Sequence, residues 1–214
     1  MEGSEHIATI SSQINLLEML NKYPIYNVMD FGAGIGTLSN LIIKNTNANL
    51  TAIENNPFCV AQFSKHILPN KRVNLLNEIP RHNKFDLVII DNAIQTRDIF
   101  RLFRGSKQVI VFIEGRRSST VARLSFLSIF FRLNRSFYLC ESRLNLFGSK
   151  EIEKGGSYFI FTKSTLLRTI STWVSQFRET GELSAIKVFF FKIWTKLKDR
   201  TILKITSVAK TRFK

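Results

Sequence analysis

The stretch Val28-Met29-Asp30-Phe31-Gly32-Ala33-Gly34-Ile35-Gly36-Thr37 decides the fold of this chain. An apolar segment ends in a carboxylate and runs into three alternate glycines, after which apolar residues recur at helical spacing. We therefore predict a β-strand, a tight turn and an α-helix, in that order. Glycine allows positive φ and carries no Cβ, so a ligand can lie against bare backbone amides at the helix N-terminus. The stretch predicts a nucleotide-type ligand site.

The spacing of the glycines discriminates between two kinds of ligand. The dinucleotide fingerprint G-x-G-x-x-G/A requires Gly or Ala at position 37, where this chain has Thr37, and the third glycine comes one place early at Gly36. A pyrophosphate is also disfavoured by a carboxylate just before its loop, whereas Asp30 suits a cationic ligand. A glycine-rich turn that follows an incidental aspartate is the alternative without a ligand.

The pattern Asp30-x-Gly32-x-Gly34-x-Gly36 resembles the first motif of the class I S-adenosylmethionine-dependent methyltransferases. S-adenosylmethionine carries a sulfonium and an ammonium, which agrees with the preference of Asp30 for a cation. The resemblance implies S-adenosylmethionine as the cofactor, bound by Asp30, Gly32, Ala33, Gly34 and Gly36.

Strand and helix patterns alternate along the first three quarters of the chain. The predicted strands after the first are Leu50–Glu54, Val73–Leu76, Phe85–Ile90, Gln108–Ile113, Ser136–Ser142 and Ser157–Thr162, and helices are predicted over Ser12–Leu20, from the Asn56-Pro57 cap, and from Ser118 to about Leu133. Such alternation favours parallel strands with ligands at their carboxyl ends. The resemblance covers roughly residues 14–163 and implies an α/β fold, a doubly wound, seven-stranded, mostly parallel sheet with an antiparallel terminal strand. Residues 1–164 would form this domain.

Polar residues that follow the second and third strands are candidates for the rest of the cofactor site. Glu54 lies 18 positions beyond Gly36, and a carboxylate there can accept both ribose hydroxyls. NAD sites share this chemistry, and a solvated strand-end glutamate is the alternative. We expect the neighbouring Asn55 to belong to the cofactor site as well. The resemblance implies a polar residue against the adenine, which makes Asn77 a candidate, although a plain turn before Pro80 fits equally well.

Asp91 and Glu114 are the candidate catalytic residues, because they follow the fourth and fifth strands. The resemblance implies that the position after strand four borders the transferred methyl group. Asp91 is therefore predicted to contact the cofactor and to position the acceptor or act as its base, with Glu114 as second candidate. Ordinary strand-end carboxylates are the alternative. Methyl transfer depends mainly on proximity and orientation, and a base matters only where the acceptor must lose a proton.

Two departures from related motifs narrow the chemistry. Asp91-Asn92-Ala93-Ile94 lacks the two prolines typical of amino-group methyltransferases that act on bases or glutamine. The metal-dependent catechol-type enzymes carry Asp-Asn after strand five, where this chain has Glu114-Gly115. We therefore expect no metal site.

The chain carries 31 Lys and Arg against 16 Asp and Glu, a formal net charge of +15. Such a surplus predicts attraction to polyanions. The first residues lack the basic and apolar regions of a secretory signal, and Cys59 and Cys140 lie far apart without a redox or metal motif, so we expect a cytoplasmic location. Arg116 and Arg117 directly follow the fifth strand and favour an anionic acceptor.

Residues 165–214 form a basic C-terminal extension with eleven Lys or Arg and three acids. Within it, residues 183–200 predict an amphipathic basic helix that suits an anionic membrane surface, packing on its own domain or a second copy, or, less well, RNA. The first hypothesis is a methyltransferase with a small or glycan- or lipid-linked, anionic acceptor, peripheral on the inner membrane face. An RNA methyltransferase and a non-catalytic binding or scaffold protein are the alternatives. The oligomeric state stays open.

Overall fold

A computed structural model describes residues 8–80, 84–91, 94–103, 108–114, 118–139 and 156–165. Its seven strands are β1 (Asn27–Phe31), β2 (Asn49–Ile53), β3 (Val73–Leu76), β4 (Leu87–Ile90), β5 (Gln108–Ile113), β6 (Leu133–Leu139) and β7 (Ser157–Lys163). They form one sheet in the order β3-β2-β1-β4-β5-β7-β6, and β7 runs antiparallel to both neighbours while the other six strands are parallel. The predicted fold class is confirmed. From residue 166 on, the predicted extension, including its 183–200 helix, lies outside the described residues.

Within the described ranges, five helices cover the two faces of the sheet: α1 (Ile10–Lys22), α2 (Thr37–Asn45), α3 (Pro57–His66), α4 (Thr96–Phe103) and α5 (Ser118–Phe130). Because successive strand residues point to opposite faces, Val28 packs with α1 and α2, whereas Met29 packs with α4 and α5. α3 packs on Ala52, which shares its face with Leu50 and therefore with α1 and α2. All four residues of β4 are buried, as expected for a strand covered on both faces.

The predicted start of α3 is confirmed by its cap. The side chain of Asn56 accepts hydrogen bonds from the backbone N–H groups of Phe58 and Cys59, at 3.0 and 3.4 Å, and Pro57 is the first helical residue. Proline needs no partner for an N–H at this position and its φ is already helical. In the part of the chain that the structure describes, no helix has both the length and the apolar character needed to cross a bilayer.

The predicted C-terminal end of α5 is wrong by three residues. The helix ends at Phe130, and Leu133, predicted as helical, is the first residue of β6. Arg132 has φ of 52°, a left-handed conformation that no helix can continue through. Beyond it the chain alternates, with buried Leu133 followed by exposed Ser136 and Tyr138 on the opposite face. The run of apolar residues concealed this change from helical to strand period.

Candidate functional site

The three glycines form a left-handed turn between β1 and α2. Gly32, Gly34 and Gly36 have φ of 83°, 57° and 96°, conformations that residues with a Cβ rarely adopt. The N–H groups of Gly32 and Ala33 donate to the carbonyl of Ile53 at the end of β2, at 3.0 and 3.2 Å. These bonds hold the turn against the neighbouring strand.

Gly36 is required for packing as well as for its φ. A Cβ at this position would lie 2.7 Å from Cγ1 of Ile67 and 3.0 Å from Cδ2 of Phe63. Phe63 lies on α3 and Ile67 is the C-cap of that helix, and both side chains are buried. The third glycine therefore lets α3 approach the N-terminus of α2, where Gly36 is the N-cap and supplies no side-chain hydrogen bond. The first turn of α2 keeps its N–H groups free of a capping side chain.

Glu54 holds the turn from the adjacent strand. Its Oε2 accepts from the N–H of Gly34 at 2.8 Å, and its Oε1 accepts from the N–H groups of Asn55 and Asn56, both at 2.8 Å. A carboxylate has about four acceptor positions, so one position on Oε2 remains beside these three bonds. Glu54, the residue predicted to bind the ribose, therefore lies directly beside the predicted glycine loop.

Two of the predicted residues, Asn55 and Asn77, are in contact just beyond the ends of β2 and β3. Oriented to satisfy its neighbours, the side-chain amide of Asn55 donates to the backbone carbonyl of Asn77 at 3.1 Å. Both side chains are exposed at the carboxyl edge of the sheet. The contact uses the backbone carbonyl of Asn77 and not its side chain.

Asp30 is the most perturbed carboxyl group of the site. Its side chain is only 1% exposed, its Oδ2 accepts from the hydroxyl of Ser39 at 2.6 Å, and its Oδ1 is buried with no hydrogen-bond partner. Burial raises the pKa of Asp30 from 3.8 to about 7; the Ser39 hydrogen bond opposes this shift, while the charges of Glu114 and Glu54 add to it. A buried acceptor without a donor, in a region of negative charge, favours a cationic donor as ligand.

Asp91 and Glu114 lie at the carboxyl ends of adjacent strands, as predicted. The N–H of Asp91 donates to the carbonyl of Phe31 at 3.0 Å, and the N–H of Glu114 donates to the carbonyl of Ile90 at 3.1 Å. Asp91 is half-buried, and Glu114 is buried at 7% exposure. Arg123 of α5 donates to the carbonyl of Ile94, just before α4, at 3.0 Å.

Two residues that contact the candidate site residues, Ser39 and Thr9, were not predicted from the sequence. Ser39 contacts the Asp30 carboxylate, and the N–H of Thr9 donates to Oε1 of Glu114 at 3.0 Å. Ser39 could have been suspected, because it is a polar residue on the apolar, sheet-facing side of α2. The contact at Thr9 uses a backbone group and carries no signal in the side-chain sequence.

Nothing in the described ranges suggests a metal site. Among these residues, no group of three or more His, Cys, Asp or Glu side chains could hold a metal ion. Cys59, on α3, is buried and is not part of a disulfide. Arg116 and Arg117, on which the prediction of an anionic acceptor depends, lie outside the described residues.

The similarity of this chain to known proteins lies in its structure. No protein-family model and no curated protein matches the chain. Among solved structures, the chain is similar to the precorrin-6y C5,15-methyltransferase from Geobacter metallireducens, at 14% identity and a TM-score of 0.57, over 76% of this chain and 92% of that one. It is also similar to the methyltransferase domain of bacterial CtHen1-C (13% identity, TM-score 0.53, 72% and 98% covered) and to the N-methyltransferase NodS from Bradyrhizobium japonicum (10%, 0.52, 72% and 94%). The chain therefore has the class I methyltransferase fold.

Proposed function

We propose that this protein is an S-adenosylmethionine-dependent methyltransferase. The observation that supports it most directly is the buried, unpartnered Oδ1 of Asp30, which lies at the glycine turn where class I methyltransferases bind their cofactor. An orphaned carboxylate oxygen in a buried site fits an ammonium or sulfonium and disfavours a pyrophosphate. Similarity to solved methyltransferases supports the same reaction class.

In this proposal, different residues of the site bind different parts of the cofactor. Asp30 would face its positive charge, the glycine amides would line its nucleoside, and Asn55 and Asn77 would flank the adenine. Glu54 would accept a ribose hydroxyl at the one free position of Oε2. A second hydroxyl would have to displace one of its three backbone N–H donors. When bound, S-adenosylmethionine supplies a methyl group on an activated sulfur, so the protein has no leaving group to protonate.

The acceptor would be bound at the ends of β4 and β5. Asp91 is half-buried there, and we propose that it positions the acceptor and takes up its proton where one must be lost. The acceptor class we propose is a small or glycan- or lipid-linked, anionic molecule at the inner face of a membrane. The charge of +15 equally favours RNA as acceptor, which makes an RNA methyltransferase the second candidate.

Titration calorimetry with S-adenosylmethionine and, separately, NAD tests the proposal. We expect wild type to bind only S-adenosylmethionine, and Asp30→Asn to weaken this binding at pH 8 by about tenfold or more, because the amide cannot balance a positive charge. Asp86→Asn is the matched control: Oδ2 of Asp86 accepts from Tyr26 and Asn27 at the opposite end of the sheet, so its amide should leave binding unchanged. Binding of NAD alone would refute the proposal.

Two binding measurements distinguish the acceptor classes. Retention of RNA that weakens steeply between about 50 and 200 mM salt, together with methyl transfer to it, would favour the second candidate. Flotation with anionic vesicles that is lost on deleting residues 183–214 would favour the first. Cofactor binding with activity unchanged in Asp91→Ala would instead support a protein that keeps the fold without using this carboxylate.

A further inference from the structure

The carboxylate of Glu114 contacts the segment that precedes α1. Its Oε1 accepts a hydrogen bond from the backbone N–H of Thr9 at 3.0 Å, across 105 positions of sequence. Glu114 itself is fixed to the sheet, because its own N–H donates to the carbonyl of Ile90. The bond therefore joins the N-terminal segment to the carboxyl end of β5.

Residues 8–13 form a compact unit through hydrogen bonds among themselves. Thr9 is the N-cap of α1, with φ of −62° and ψ of 150°, and its Oγ1 accepts from the N–H of Ser12 at 3.2 Å. Gln13 closes the unit, since its side chain donates to the carbonyl of Ala8 at 2.9 Å and its N–H donates to that of Thr9 at 3.0 Å. Moving Thr9 would therefore move the first turn of α1 with it.

This unit lies beside the proposed cofactor site. Glu114 is close enough to Asp30 to raise its pKa, and the strand that it is bonded to, β4, ends next to Asp91. α1 buries Ser11, Ser12 and Asn15 in its first turns, so a polar surface faces the protein here instead of an apolar one. A polar surface of this kind suits the wall of a site that takes a polar ligand.

We propose that Glu114 is a positioning residue: its carboxylate holds residues 8–12 against the carboxyl edge of the sheet, where they form one wall of the cofactor site. Glu114 then acts through Thr9 and not as the base that its strand-end position suggests. The inference rests on the proposed function for the identity of the ligand, but the contact itself can be tested without any ligand.

Two pairs of variants separate positioning from base catalysis. Glu114→Gln keeps an oxygen that can accept from Thr9 but loses the charge and the basicity, whereas Glu114→Ala loses all three. Thr9→Pro removes the N–H, and proline fits the φ of −62° at this position. Thr9→Ala is its control, because both variants lose the capping hydroxyl and only the proline variant loses the donor.

The first measurement is amide hydrogen exchange of residues 10–15 in the protein without ligand. We expect Thr9→Pro and Glu114→Ala to raise exchange there by about tenfold over Thr9→Ala and Glu114→Gln, while the amides of β1 and β4 exchange as in wild type. The second is the affinity for S-adenosylmethionine, which should fall by about tenfold in the same two variants. In the Glu114→Ala/Thr9→Pro double variant the loss should not exceed that of Thr9→Pro alone, because the two substitutions remove the same hydrogen bond.

The inference is overturned if Glu114→Gln matches Glu114→Ala, or if Thr9→Pro matches Thr9→Ala, in exchange and in affinity. The first result would mean that the charge of Glu114 matters and not its hydrogen bond to Thr9. If wild type binds no S-adenosylmethionine while the exchange pattern is as expected, the proposed function fails and the contact stands. If exchange is unchanged in all variants while wild type binds S-adenosylmethionine as expected, the inference about Glu114 fails and the proposed function stands.

Discussion

Replacing Asp30 by Asn should stabilise the protein at neutral and alkaline pH. The side chain is 1% exposed and burial raises its pKa from 3.8 to about 7. Each pH unit of difference corresponds to about 1.4 kcal/mol, so the full difference amounts to about 4 kcal/mol of unfolding free energy. This is a large fraction of the 5–15 kcal/mol that typically separates native from unfolded states.

The sign follows from the proton balance of Asp30. Between pH 3.8 and about 7 the native carboxyl keeps a proton that the unfolded chain has released, so the wild type loses stability as pH rises through this window. Below the window both states are protonated, and above it both are ionised. Asn does not titrate, and its side-chain oxygen can still accept from Ser39. The advantage of Asp30→Asn should therefore grow from pH 4 to pH 7 and then level off.

Urea unfolding at pH 4, 5, 6, 7 and 8 measures this difference. Taking the variant minus the wild type at each pH cancels the titration of all other groups that do not contact Asp30. We expect a difference that rises by about 4 kcal/mol across the window. A difference that is constant with pH would refute the reasoning, because it would mean that Asp30 is ionised in the native protein throughout.

Three further outcomes are expected. The affinity of wild type for S-adenosylmethionine should rise by up to about tenfold per pH unit from pH 5 to 7 in calorimetry, because a cation displaces the proton from Asp30; pH-independent affinity would contradict this. Gly36→Ala should lower the unfolding free energy by about 1–3 kcal/mol in urea, because its Cβ would meet Ile67 at 2.7 Å at a φ of 96°. Arg72→Met should cost about 2–3 kcal/mol, because the guanidinium donates to three carbonyls near the end of α2, yet leave cofactor affinity at the wild-type value.

The sheet could be predicted from the sequence because its signals are local. β4 is a short apolar run, Asn56-Pro57 is a helix start, and three alternate glycines need a special turn, so each element is specified by its own residues. The end of α5 could not be predicted in this way. Its boundary depends on the left-handed Arg132 and on the pairing of β6 with β7, which is a contact across the sheet.

The site was predictable to the extent that parallel strands bring their carboxyl ends together. Glu54, Asn77 and Asp91 each follow a strand, and the topology alone places such residues at one edge. The pKa of Asp30 was not predictable, since it results from burial beneath α2. The contact between Thr9 and Glu114 was not predictable either, because a backbone N–H is the same at every residue other than proline.

The position of β7 has a consequence for synthesis on the ribosome. β7 is inserted between β5 and β6, so β6 has no strand to pair with until Lys163 has been made. Until then the growing chain presents β5 as an open edge, with unpaired N–H and C=O groups that other chains can join. β1 to β5 can assemble early, whereas β6 can join the sheet only after β7 has emerged.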